Sequence, residues 1–393
     1  MIAIKVKNFG ILIHSAIENG WLLFIAAALG IFTANSKYSE LYQHYISSDL
    51  KLIFADYSVG MSMANWVNEL LMAFFFLIVG MEIKREIVEG RLSSPAQRIL
   101  PIVGAFGGIV VPVLIYCVFN IHNDTALKAW ATPAATDIAF AIGVMGIFGK
   151  GIPTSLRVFL TALAIIDDLV SVLIIAIFYN ESINIEYLFY ISICIALLFY
   201  LNRRDVSSKF VYLVIGGFMW SFFLQSGIHA TVAGAVLGML IPIRSKTGTE
   251  VMADLERGLG PLNYYVILPL FAFVNSGLSL SNFSLGDLLH PIVLGTGLGL
   301  FFGKQIGIFS ACYILIKMGK AKLPEHSTYA QFYGTSVVCG IGFTMSLFIA
   351  LLAFAHNTTY LNEIKLGIML GSLASLIIGA IIISITGTRK SSV

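Results

Sequence analysis

Charge is what this sequence carries least of. Asp, Glu, Lys and Arg supply 11% of its 393 residues, less than half the roughly 25% typical of soluble proteins. Hydrophobic residues supply 58%, so the chain reads as an integral membrane protein with room for about a dozen spans of ~20 residues. Cysteine is scarce too: Cys117, Cys194, Cys312 and Cys339 lie in apolar segments at no metal-ligand spacing, which excludes a disulfide framework and a zinc centre. A net charge of +3, spread along the chain, excludes a nucleic-acid partner. No Gly-x-x-x-x-Gly-Lys-Ser/Thr loop occurs, which argues against an ATP-driven pump.

Hydropathy predicts spans near 11–33, 63–84, 99–119, 126–148, 155–179, 183–201, 210–224, 227–241, 259–276, 291–316, 330–354 and 362–385. The first follows Lys5 and Lys7 as a signal peptide would, but it contains His14, Glu18 and Asn19 and lacks a small-residue cleavage site, so it is expected to be a span. Residues 35–62 form a polar connection expected to hold a short hairpin or an amphipathic surface piece. Basic residues fall on one side of this topology, except Lys37, Lys51, Lys128 and Lys365 on the other face and Lys304 inside a span. The asymmetry predicts cytoplasmic termini and an even number of spans, twelve by this count.

What charge the spans do contain is concentrated. Asp167 and Asp168 sit in the middle of the apolar stretch Val158 to Phe178, where each carboxylate costs about 3 kcal/mol to insert. In the fourth span Ala131-Thr132-Pro133-Ala134-Ala135-Thr136-Asp137 joins a helix-breaking proline to a third embedded carboxylate. The eleventh span carries Gly340-Ile341-Gly342 at its centre, and paired breaks in corresponding halves of a transporter point to a binding site. Lys304 lies too centrally in the tenth span to reach the interface, so it needs an anion or several carbonyls. Two crossing broken helices would bring positive ends together and negative ends together. Asp137 could neutralise the first and Lys304 the second. Successive on a helix, Asp167 and Asp168 point about 100° apart. One could face an ion cavity while its neighbour pairs with Lys304.

The segments Ala134-Ala135-Thr136-Asp137-Ile138-Ala139-Phe140-Ala141, Ala162-Leu163-Ala164-Ile165-Ile166-Asp167-Asp168-Leu169 and Cys339-Gly340-Ile341-Gly342-Phe343-Thr344-Met345-Ser346 resemble those of the NhaA-type bacterial Na+/H+ antiporters. So do Gly80-Met81-Glu82-Ile83-Lys84-Arg85-Glu86, Ser226-Gly227-Ile228-His229-Ala230-Thr231 and Leu268-Pro269-Leu270-Phe271-Ala272-Phe273. The resemblance implies an all-α polytopic membrane protein of about twelve transmembrane helices in a single domain. Spans 4 and 11 would be broken and crossed, within inverted three-helix repeats at 99–179 and 291–385. It implies electrogenic exchange of two external protons for one cytoplasmic Na+ or Li+, serving Na+ and pH homeostasis and salt tolerance in the bacterial inner membrane, with no cofactor. By position, Asp168 would be the principal carboxylate for the transported Na+ and for H+, with Asp167 the partner of Lys304. Asp137 and Thr136 would lie at the crossing, and 35–62 would match a hairpin that could join a homodimer.

The resemblance also implies a pH-sensing cluster at the cytoplasmic mouth, here Glu82, Arg85 and Glu86 at the end of the second span and Glu256 before the ninth, with His229 a further candidate. Ala253, Asp254, Arg257 and Gly260 stand where the family usually has basic and histidine residues, and Glu69 replaces an aspartate. The alternative function is a Na+-coupled symporter of an organic solute, which would need a larger polar or aromatic pocket. An intramembrane aspartyl protease would need its paired aspartates on separate helices, whereas Asp167 and Asp168 adjoin, and its Gly-x-Gly-Asp motif is absent.

Overall fold

The computed structural model describes residues 21–54, 57–90, 95–149, 151–180, 182–244, 250–279 and 284–388. The first half of the expected opening span, and Lys5, Lys7, Arg91, Lys150, Lys246, Arg389 and Lys390 of the charge asymmetry, lie outside them. Helices dominate. In chain order they are α1 (Trp21–Ala34), α2 (Ser39–Ser47), α3 (Met63–Val88), α4 (Pro95–Asn120), α5 (Asp124–Leu127), α6 (Ile138–Phe148), α7 (Thr154–Phe178), α8 (Ile185–Arg203), α9 (Lys209–Ser226), α10 (Thr231–Leu240), α11 (Val251–Asn275), α12 (Pro291–Lys317), α13 (Tyr329–Val338), α14 (Phe343–Ala353) and α15 (Thr358–Thr388). Among the described residues nine helices are long and apolar enough to cross a membrane, or up to eleven if each of two bent pairs counts as one span.

Four expectations change. The chain is not wholly α: β1 (Asp49–Phe54) and β2 (Tyr57–Ser62) pair antiparallel, with Asp49 opposite Ser62 and Phe54 opposite Tyr57. The span expected at 227–241 contains a helix of only ten residues, α10, about 15 Å long and half a bilayer core. α3 runs past its expected end to Val88, so Lys84 lies on the helix and donates to Ile241 O at 2.5 Å. α11 begins eight residues earlier than expected, at Val251, which places Glu256 on it and not before it.

The described residues cluster into two compact units. One draws on Met1–Ile25, Arg91–Ser171 and Leu280–Val393, the other on Ala26–Gly90 and Val172–Ser279. α7 belongs to the first as far as Ser171 and continues into the second. In the first unit α4 packs against α12 with their backbones almost touching: a Cβ on Gly107 would strike the carbonyl of Gly307, and one on Gly307 would strike that of Gly107. Between Gly299 and Gly303 α12 widens into a π turn, a local unwinding often found at functional sites. Lys304 follows at once. In the second unit α10 packs as closely on α3, where a Cβ on Gly234 would meet Ala73 O.

Candidate ion site at two interrupted helices

Span 4 breaks where its sequence offers the backbone no helical continuation. Pro133 lies in a single 3-10 turn, Thr132–Ala134, followed by extended backbone at Ala135 and Asp137 before α6 starts at Ile138. The flanking pieces bend by 42°. Span 11 breaks at Cys339–Gly342, between α13 and α14. The two interruptions meet in the first unit: the Asp137 amide donates to Ile341 O at 2.7 Å, and Ser346 Oγ donates to Thr132 O at 2.8 Å.

Asp137 is the N-cap of α6, its Oδ1 accepting the Phe140 amide at 3.1 Å. Its Oδ2 accepts the Thr344 amide at 3.0 Å and a short hydrogen bond from the Thr344 hydroxyl. One buried carboxylate, 2% exposed, therefore answers the free N–H groups and partial positive charge of two helix starts, α6 and α14. Ser372 on α15 supports the second start, its Oγ accepting the Gly342 and Phe343 amides at 3.3 Å each.

The ammonium of Lys304, fully buried, donates to Asp167 Oδ2 at 2.6 Å and lies within electrostatic reach of Cys339 at the end of α13. The Cys339 carbonyl accepts from Thr136 Oγ1 at 3.0 Å, a hydroxyl also 2.7 Å from Asp167 Oδ2. Arg157, which the sequence reading did not single out, donates to Gly149 O at 3.3 Å just beyond the end of α6. Asp168 follows Asp167 on the unbroken α7 and is equally buried. Among the described residues Asp167 Oδ1 is buried with no hydrogen-bond partner. The first unit thus brings Asp137, Thr136, Asp167, Asp168 and Lys304 into one buried region.

In the second unit Arg85 and Glu256 form a short ion pair, with Glu82 and Glu86 in their electrostatic neighbourhood. Exposed Arg257 and Lys209 both bind Asp254, at 2.8 and 3.0 Å. His229 is elsewhere: its Nδ1 lies 3.3 Å from Glu69 Oε1, while the Ala230 amide donates to Glu69 Oε2 at 3.1 Å. Glu69 and Glu82 are separated by roughly 20 Å along α3, so His229 does not join the Arg85 cluster.

Sequence reasoning missed Thr344, Ser346 and Ser372. Thr344 and Ser346 carry a signal, polar residues just after a predicted break, whereas Ser372 carries none until α15 is seen against the gap.

Residues 11–383 match the family described as Na+/H+ antiporter 1. A protein of Campylobacter concisus named Na+/H+ antiporter NhaA is 43% identical over 389 residues, 98% of this chain and 94% of the relative. Proteins of the same name from Pelagibacter ubique and Caulobacter vibrioides are 45% and 46% identical, over 93% and 97% of this chain and 94% and 92% of their own lengths.

Proposed function

Since this chain belongs to the Na+/H+ antiporter 1 family and is a secondary Na+/H+ antiporter, not an enzyme, we propose that Asp168 is its principal cation-binding carboxylate. Asp167 and Lys304 form the charge pair beside it. Thr136 and Asp137 hold the crossing that shapes the cavity. The protein spans the membrane with several apolar helices. We place it in a bacterial inner membrane with twelve helices, cytoplasmic termini and inverted repeats at 99–179 and 291–385. A homodimer joined through 35–62 belongs to the same proposal.

The observation that carries it is the buried contact of Lys304 with Asp167, next to Asp168 and against two helix breaks. With Lys304 charged, the two carboxylates of α7 leave one net negative charge, which one Na+ or Li+ neutralises. Protons arriving from outside displace the cation by neutralising Asp168. Exchange of two protons requires a second acceptor, and Asp167 supplies it by taking a proton and releasing Lys304, whose ammonium then carries the one net charge. One net charge then moves inward per cycle, favoured by about 2.3 kcal/mol per 100 mV of inside-negative potential. Glu82, Arg85, Glu86 and Glu256 form the cytoplasmic mouth in this scheme, and His229 orders the start of α10. A Na+-coupled symporter of an organic solute has no support among the relatives.

The test is Asp168→Asn, which keeps size and hydrogen bonding but removes the charge both ions need. Na+- and Li+-dependent ΔpH in everted vesicles should vanish while the variant inserts and elutes as the parent does. Normal ΔpH from this variant would sink the assignment.

A further inference from the structure

A cavity of about 770 Å³ opens in the first unit at the end of α4, α7 and α12 that lies away from the Asn120 terminus of α4. That volume is in the range of small-ligand sites, roughly 300–1,000 Å³. Its floor is apolar: Leu100 and Pro101 at the start of α4, and Val158, Phe159 and Ala162 on α7. Its roof is the connection after α12. Gly319, at φ +72°, turns the chain back in the left-handed conformation that suits glycine, and the Lys320 amide closes the turn on Leu315 O at 3.2 Å. The same connection is pinned farther along, where Ser155 Oγ on α7 donates to Glu325 O at 2.5 Å. The space beneath is therefore bounded by hydrogen-bonded backbone on the side facing away from the bilayer core.

The charges of this cavity all lie on the roof. Lys320 and Lys322 are exposed there and line the mouth together with Glu325. The site is thus amphiphilic, with two lysines and a glutamate over an apolar floor.

We propose that this cavity binds an anionic glycerophospholipid of the phosphatidylglycerol class. The phosphate would be held by Lys320 and Lys322, a headgroup hydroxyl would donate to Glu325, and an acyl chain would lie against Leu100, Pro101, Val158, Phe159 and Ala162. A soluble phosphate ester would satisfy the lysines but leave the apolar floor unused. A zwitterionic lipid would waste the net positive charge of the rim. None of these residues takes part in the ion site, so the proposal stands apart from the transport assignment.

Native mass spectrometry of the full-length protein, titrated with phosphatidylglycerol, phosphatidylethanolamine or phosphatidylcholine of matched chains, tests it. Phosphatidylglycerol should bind most tightly. In the double variant Lys320→Gln, Lys322→Gln its affinity should fall about thirty-fold, with the other lipids unaffected and Na+-dependent ΔpH retained. Val158→Trp, which fills the floor without touching a charge, should also weaken it. Lys37→Gln, at an exposed lysine outside this unit, should not. An unchanged preference in the double variant, an equal loss in Lys37→Gln, tighter binding of phosphatidylethanolamine, or competition by glycerol 1-phosphate as strong as that by the lipid would each overturn the proposal.

Discussion

Two clusters of charge in this protein both pair cations with carboxylates and differ in what surrounds them. In the first unit Lys304 and Asp167 meet with 0% and 1% of their side chains exposed. In the second, Arg85 keeps 43% of its side chain in contact with the surroundings, and Arg257 keeps 71%. Water screens the second set, so each pair there adds little to stability and rearranges at small cost. The buried set is held by fixed partners: when one is removed, the other is left as an uncompensated charge in a poorly polarisable medium. The proposed ion site is therefore the region where single substitutions should be severe. The Arg85 cluster is where they should tune.

The largest departure should come from Lys304→Ala, which strands Asp167 and should cost about 3–5 kcal/mol of stability, together with antiport. Thermal melting of the detergent-solubilised protein measures the loss. Adding Asp167→Asn should recover much of it, because the uncompensated charge is then gone; additive losses in this double-mutant cycle would show that the two residues do not act as a pair. Next in size is Thr344→Val, which removes the hydroxyl that serves Asp137 while keeping the backbone amide contact. A loss of about 1–3 kcal/mol is expected, with weaker Na+ dependence of ΔpH, since the starts of α6 and α14 would no longer be tied through one carboxylate. A melting curve that matches the parent would remove Thr344 from the site.

Arg85→Gln should cost less, about 0.2–1 kcal/mol, because its partner Glu256 keeps some exposure. It should change transport rate more than stability. Smallest of all is Arg257→His. Its Asp254 contact is exposed, so melting should not change, and the pH profile should stay as steep as before if pH dependence arises from H+ and Na+ competing at Asp168 and Asp167. On that account more Na+ lets the cation hold the site against more protons, and the midpoint moves to lower pH as Na+ rises. A midpoint that stays fixed over a wide range of Na+ would return control to Arg85 and its neighbours and reverse the comparison drawn above.

The sites of the helix breaks could be read from local chemistry. Pro133 lacks an amide hydrogen and Gly340 and Gly342 weaken a helix wherever they fall, so both interruptions stand where those residues predict them. The ends of elements were less legible. α3 and α11 run beyond their apolar cores because charged residues such as Lys84 and Glu256 find partners on neighbouring helices, Ile241 O and Arg85, that hydropathy does not register. α10 is short because the chain before it turns at Gly227, φ +82°, and begins helix only at Thr231. Neither Gly227 nor the apolar run that follows it distinguishes a ten-residue helix from a full span.

Composition alone determined that this chain lives in a membrane, and the cost of burying charge alone marked Asp137, Asp167, Asp168 and Lys304 as residues with a purpose. Those are local properties, present whichever way the helices pack. The resemblance named Asp167 as the partner of Lys304, but the other partners were decided only by the tertiary structure: Asp137 came to serve two helix starts more than two hundred positions apart, and His229 settled on Glu69. The physical reason is distance. Electrostatic and hydrogen-bond partners act over a few ångströms, and only the packing of α4, α7, α12 and the two interrupted spans brings such remote positions within that range.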